Sequence, residues 1–327
     1  MVKRICFTCL LIIIFLFVGC KNLIIEEIVS PLNVVPTTFQ DDLQIHEIHL
    51  DYFSATRNSA TIIEDIQYVY FGKKDGLYVK DKKSKEIVKV ANILSPDYLQ
   101  LYNDVLYFKS NEKLYRYTAI GKYQIIFEAD TQEKKDAISQ DYQVYKEKVF
   151  FLNASICAVF DMNTKEFKTL PKLFSVSEAE IREDKIYYIE HAERTFTLFS
   201  YDIETEEKKI IIGSGESEPD EILIKNFVFV ENDLYIFQRM PQVLYQYNNG
   251  NMKIISDFCI KWMSSWNGGL LYSFDNTSTF LYFYDNDNIK IIEMVTFDTL
   301  RGLTIVDGCI YFFDGNPQVI QYNEIKS

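Results

Sequence analysis

One pattern returns seven times along this chain. A turn made of Asp, Glu, Asn or Gly leads into an aliphatic residue and then an aromatic one: "NDVLYF" at Asn103 to Phe108, "KEKVFF" at Lys146 to Phe151, "EDKIYYI" at Glu183 to Ile189, "ENDLYIF" at Glu231 to Phe237, "NGGLLYSF" at Asn267 to Phe274 and "VDGCIYFF" at Val306 to Phe313. A less regular first copy, "EDIQYVYF", covers Glu64 to Phe71. The aromatics Tyr70, Tyr107, Phe150, Tyr187, Tyr235, Tyr272 and Tyr311 are separated by 37, 43, 37, 48, 37 and 39 residues. A period near 40 made of short apolar segments means a structural unit that cannot bury its faces alone and must stack on copies of itself.

Each unit reads as four strands. After the anchor comes a second alternating segment, such as "GLYVKD", "KLYRYT", "CAVFDM" and "TLFSYD". Alternation of period two presents every second side chain to one face, the mark of a strand. A turn follows in which Asp81, Asp161 or Asp202 stands three residues before Ser84, Thr164 or Thr205; such side chains bond nearby backbone amides and close a hairpin. Further strands follow it ("EIVKV", "EFKTL", "EKKIII") and precede each anchor ("DYLQLY", "DYQVY", "KNFVFV", "RGLTIV"). Four antiparallel strands in about 40 residues make one propeller blade. The expectation is an all-β chain folded as a β-propeller of seven four-stranded blades, or six if the irregular first copy is set aside. The last unit ends one strand short, while "LQIHEIHLDYF" at Leu43 to Phe53 precedes the first. That N-terminal strand is expected to complete the final blade and close the ring, removing free sheet edges.

The N-terminus carries a different signal. Lys3 and Arg4 precede an apolar run from Ile5 to Val18, the charged and hydrophobic parts of an export signal. Fourteen residues fall short of the roughly 20 that span a bilayer as a helix. Phe17-Val18-Gly19-Cys20 resembles the lipobox of bacterial lipoproteins, with Leu16 one place early and Phe17 in the slot where that family prefers Leu. The resemblance implies cleavage after residue 19 and lipidation of Cys20. Several acyl chains anchor stably where one would bind reversibly. Residues 20–42, with Pro31 and Pro36 and no clear period, read as a lipidated tether, and residues 43–327 as the propeller domain.

The 34 Lys and Arg against 47 Asp and Glu give a net charge of −13, which becomes −15 once Lys3 and Arg4 leave with the signal. An acidic chain without a basic cluster lacks the cations that bind phosphate backbones, so no nucleic-acid partner is expected. Cys157, Cys259 and Cys309 remain in the mature domain at irregular spacing and read as buried strand residues.

The repeated aliphatic-Tyr and aromatic-x-Tyr-Asp strands over residues 60 to 325 resemble bacterial lipoprotein propellers akin to those of low-density-lipoprotein-receptor-related proteins. The receptor tetrapeptide Tyr-Trp-Thr-Asp is absent, with Phe199-Ser200-Tyr201-Asp202 the nearest shape, so no receptor ligand carries over. Quinoprotein propellers share the Asp-x-x-Thr turn but are Trp-rich, whereas this chain has two Trp; no cofactor is implied.

Few residues suggest chemistry. His46 and His49, three apart on the expected strand, leave opposite faces and cannot easily share a metal. Asp285-Asn-Asp287-Asn288 has alternate oxygens but lacks the Gly and distant Glu of a calcium loop, and reads as a hairpin turn. The insert "GSGESEPDE" at Gly213 to Glu221 lengthens one repeat, and its Glu216, Glu218, Asp220 and Glu221 are candidate binding residues or simply a solvated connector. Trp262 and Trp266 bracket "MSS" and either stack on a sugar or peptide ring or fill the wedge between blades. The expected function is a binding or scaffold module at the extracytoplasmic face of a bacterial membrane, held by its lipid and taking a protein, peptide or glycan. The alternative is a surface glycan lyase or hydrolase with its site in the central channel.

Overall fold

The computed structural model describes residues 25–26, 48, 50 and 60–321, apart from 120–121, 140, 193–194, 214–222, 240–241, 249–250, 258–259, 267, 275–276, 286–287, 294–302, 308 and 314–316.

Two kinds of turn fold the repeat. Asn103-Asp104 and Glu183-Asp184 have φ of 49°/60° and 49°/63°. Paired left-handed residues give a type I′ turn, whose twist matches that of antiparallel strands, so the polar residues opening each anchor become hairpin tips. The second turn is built three times in one way. Asp81, Asp161 and Asp202 each accept, on Oδ1, the N–H groups two and three residues on at 2.7–3.1 Å. The hydroxyls of Ser84, Thr164 and Thr205 then accept from the N–H of Glu86, Glu166 and Glu207 at 3.3–3.4 Å.

Seven antiparallel sheets result, an arrangement consistent with a β-propeller. After β1 (Ile25–Glu26), the first sheet is β2 (Ile62–Glu64), β3 (Tyr68–Lys73), β4 (Gly76–Asp81) and β5 (Ile87–Ala91); the second is β6 (Asp97–Tyr102), β7 (Val105–Ser110), β8 (Lys113–Ala119) and β9 (Lys122–Glu128). The third is β10 (Gln143–Tyr145), β11 (Lys148–Leu152), β12 (Cys157–Asp161) and β13 (Phe167–Thr169); the fourth is β14 (Val176–Arg182), β15 (Lys185–Ala192), β16 (Thr195–Asp202) and β17 (Lys208–Ile212). The fifth is β18 (Ile224–Val230), β19 (Asp233–Gln238), β20 (Val243–Asn248) and β21 (Asn251–Ser256); the sixth is β22 (Ile260–Trp266), β23 (Gly269–Phe274), β24 (Thr277–Asp285) and β25 (Asn288–Glu293). The seventh has three strands among the described residues, β26 (Leu303–Val306), β27 (Cys309–Phe313) and β28 (Pro317–Gln321). Within the segment expected to be a tether, β1 pairs in parallel with β21 through Met252 and Lys253. The irregular copy at Glu64 to Phe71 forms a complete four-stranded sheet.

The core lies between sheets. Leu77, Val90 and Tyr70 of the first meet Leu99, Leu106 and Phe108 of the second. Leu114 and Phe127 meet Val149, Phe151 and Phe160 of the third, and Phe150 and Cys157 meet Ile186, Tyr188 and Tyr201 of the fourth. Ile189 and Leu198 pack on Phe227 and Ile236, and Phe237 and Leu244 on Leu270 and Tyr272 of the sixth. The seventh meets the first: Val306, Cys309 and Tyr311 pack with Ile62, Val69, Phe71 and Ile48. Across this last seam Lys80 Nζ pairs with Asp307 Oδ2 at 3.0 Å, and the Asp307 N–H donates to Glu64 Oε2 at 3.0 Å. Apart from Ile48 and Leu50, the strand expected at 43–53 lies outside the described residues.

First strands of neighbouring sheets approach one another, as β2 does β6, and β6 does β10. Two glutamines stitch them. Gln100 Oε1 accepts from Val144 N, while Gln143, 6% exposed, accepts from Ile181 N and donates to Ala179 O at 2.8–2.9 Å. Among the described residues the all-strand expectation missed one element, α1 (Gln132–Ile138), between the second and third sheets. Thr131 caps it, its Oγ1 accepting from Lys134 N at 3.3 Å, and Ala137 and Ile138 bury in the core.

Candidate functional site

Where the third and fourth sheets meet, their hairpins leave a shallow cleft of about 170 Å³, open to solvent. Phe150, Val159, Leu170, Tyr201 and Ile203 floor it, and Lys148, Asp161, Glu166, Lys168 and Glu206 form its rim. The rim is ordered by ion pairs: Glu206 takes Lys168 at 3.2 Å and Lys172 at 3.4 Å. Asp161, at the edge, is held below the usual carboxylate range, first by the Thr164 N–H and then by that of Asn163. An apolar floor with a zwitterionic rim suits a ligand that buries a hydrophobic side chain and offers charge at its ends.

A second cluster lies where β6 begins and β7 ends. Tyr98 has φ 51° at a bulge between Asp97 and Gln100, an outlier for a bulky residue. The Lys109 ammonium sits 3.7 Å from the centre of the Tyr98 ring and donates to Ile138 O at 3.2 Å, closing the end of α1. Burial lowers its pKa, opposed by the nearby carboxylates of Asp97 and Asp141. Asp97 Oδ1 accepts from Thr61 Oγ1 at 2.9 Å, and Tyr142 OH donates to Tyr98 O at 2.8 Å. This cluster was not singled out from sequence, although a signal existed. Lys109 stands where the other anchors carry Gly72, Leu152, Ile189 and Phe237, so a charge interrupts an apolar column.

Of the binding residues that sequence singled out, Trp262 and Trp266 are among the described residues. Trp262 and Trp266 are both half-buried on β22, and Trp266 makes an edge contact with Phe283 at 5.5 Å. Cys20, Glu216, Glu218, Asp220 and Glu221 lie outside the described residues, as do His46 and His49. Asp285 and Asn288 pair across the β24–β25 hairpin. Cys157 and Cys309 are buried, and Cys259 lies outside the described residues. Among the described residues no group of three metal-ligating side chains converges, and no helix is long and apolar enough to cross a membrane.

The fold has counterparts among solved structures. PorZ, a surface component of the type-IX secretion system of Porphyromonas gingivalis, matches at a TM-score of 0.56 and 12% identity over 84% of this chain and 38% of its own. The extracellular domain of a B. thetaiotaomicron protein assigned to the one-component systems matches at 0.51 and 14%, over 84% of this chain and 40% of the other. Oligogalacturonate lyase in complex with manganese matches at 0.55 and 10%, over 82% and 94%. The chain thus spans 40% or less of the first two proteins. At these identities the likeness is one of fold alone. No protein-family model and no curated protein matches the sequence.

Proposed function

We propose that this chain is a membrane-anchored extracytoplasmic lipoprotein: residues 1–19 are removed, Cys20 is acylated, residues 20–42 tether the domain, and residues 43–327 form a seven-bladed propeller that binds a protein, peptide or glycan. Two of the fold counterparts are an extracellular domain and a surface component, which accords with an exported module. Ring closure draws support from Ile48, buried between the first and last sheets. The binding role rests on one observation above all, the cleft between the third and fourth sheets with its apolar floor and paired rim. Glu216, Glu218, Asp220, Glu221, Trp262 and Trp266 are secondary candidates for ligand contact.

A second reading, a surface enzyme acting on a glycan, draws on the Lys109 cluster. A desolvated amine beside two carboxylates is the type of group that catalytic sites use, and in this reading it faces the central channel.

The anchoring is tested by metabolic labelling with palmitate. Label should enter the wild type and be absent from Cys20→Ser, and an unlabelled wild type removes the anchor. For binding, a partner cross-linked in native membranes should be lost on Leu170→Asp, which charges the cleft floor. Release of new reducing ends from envelope glycan by the purified chain, abolished in Lys109→Met, would instead establish the enzyme.

A further inference from the structure

Two charged side chains of the fourth sheet meet at positions that the third sheet fills with Asn153 and Phe167. Three residues after the anchor aromatic, Ser110 at the end of β7, Asn153 just past β11 and Gln238 at the end of β19 are neutral, polar and buried, while the sequence has Lys73, Asp275 and Asp314 there in the first, sixth and seventh copies. Ser110 Oγ and Asn153 Nδ2 donate there to carbonyls of the preceding connection, Leu94 O and Ala137 O. In β15 the same position is Glu190, 6% exposed. On the fourth strand, the residue paired with the end of the third is Ile87 in β5 and Phe167 in β13, but Lys208 in β17. Where the third sheet has the neutral Asn153 and the apolar Phe167, the fourth has a carboxylate and an ammonium.

Lys208 Nζ reaches Glu190 Oε2 at 2.5 Å and lies 4.1 Å from the centre of the Phe199 ring, 4.9 Å from Phe174 and 5.7 Å from Tyr188. Tyr188 OH donates to the same carboxylate oxygen at 3.5 Å. Solvent reaches the cluster from one side, where Phe174 is 53% exposed and the Lys208 side chain 24%. A largely buried ion pair holds a sheet no better than well-packed apolar residues do, and the third sheet, with Asn153 and Phe167 at these positions, demonstrates that a unit can be built without the pair. What carboxylate and rings supply together is the chemistry that recognises a cationic nitrogen: π faces on several sides and a negative oxygen at the base.

We propose that this pocket recognises a primary ammonium, the side chain of a lysine on a partner protein or peptide, and that Lys208 is its resident competitor. The oxygen of Glu190 stands at hydrogen-bonding distance from the nitrogen, so the site fits a cation bearing N–H donors. A quaternary headgroup has none. The incoming lysine takes the place of Lys208, whose flexible stem carries its charge out through the exposed side into water. This deepens the binding-module reading above, yet is tested apart from it, because a small amine needs no partner protein.

The probe is n-butylammonium, with n-pentanol as its neutral isostere and tetramethylammonium as the donor-free cation. In the wild-type mature chain labelled with 13C-lysine, the Hε resonances of Lys208, assigned by their loss in Lys208→Arg, should be shifted by the Phe199 ring. Titration with n-butylammonium should return them saturably to solvent values, and neither control should do so. By calorimetry, Lys208→Ala should bind n-butylammonium about tenfold more tightly than wild type, since removing a competing state raises apparent affinity, and adding Glu190→Gln should abolish this. Should Lys208→Ala not fold, the titration of the wild type decides alone. Lys208 resonances that stay in place under saturating amine, or that move equally with the alcohol or the quaternary cation, overturn the proposal. Such a result leaves the cleft and the lipid anchor untouched, whereas a working pocket in a chain that captures no partner refutes the module and not the pocket.

Discussion

Asp81, Asp161 and Asp202 tie the turns between third and fourth strands, and all three carboxyls are held below their usual range, in each case first by the backbone N–H of the Ser or Thr three residues on. A depressed folded value means that the unfolded chain binds protons more readily in acid. The turns' contribution is complete above the unfolded carboxylate pKa of about 4 and fades as pH falls through the lower folded values. Thermal melts between pH 7 and pH 2 should therefore show a steeper acid loss for the wild type than for the triple Asp→Asn chain; equal slopes would exclude these turns as a source. Cys157 is the opposite case. Its pKa is pushed up to about 11, chiefly by burial, so in the native chain at pH 8 it should resist iodoacetamide and alkylate only after denaturation, as read by peptide mass spectrometry. The Asp-x-x-Ser/Thr turns were legible in sequence because their bonds are local. The Lys208–Glu190 pair, 18 residues apart, was not, because no short window contains both partners.

Among the strands, pattern foretold nearly everything that is local: anchors became second strands, the Tyr-rich segments third strands, and the turn grammar fixed the hairpins. The helix α1 escaped because its seven residues are too few to display a 3.6-residue period, and its cap at Thr131 resembles any polar connection. The glutamine stitches escaped for a different reason, since they join strands of different sheets. Gln143→Leu keeps the volume but strands Ala179 O and Ile181 N–H without their bonds. It should cost about 1–3 kcal/mol, the penalty for buried polar groups left unpaired, measured by urea unfolding. Gly269→Ala belongs to the same scale, because its Cβ would stand 2.4 Å from the Phe283 ring and 2.8 Å from Tyr284 O. Such overpacking should cost roughly 1–3 kcal/mol, and a melt equal to that of the wild type would mean β23 and β24 can move apart freely.

Across the whole molecule, the period near 40 specified the number of sheets, including the one built on the irregular first copy. The period itself did not say which copy meets which; the closing role expected of Leu43 to Phe53 came from the strand missing in the last unit. Ile48, 1% exposed between the first and seventh sheets, gives the join a test. Ile48→Ala should destabilise by about 2–5 kcal/mol, the usual range for truncating a buried aliphatic residue, and a neutral outcome would mean that segment is dispensable to the join. The meeting of Lys80 with Asp307 also sets an order in time. The earliest sheet to emerge from the ribosome must wait for the last to arrive before Ile62, Val69 and Phe71 are covered, so any polypeptide terminated before Leu303 carries a greasy, unsealed flank that proteases and chaperones can grip. Quality control of such a product is thereby written into its order of synthesis.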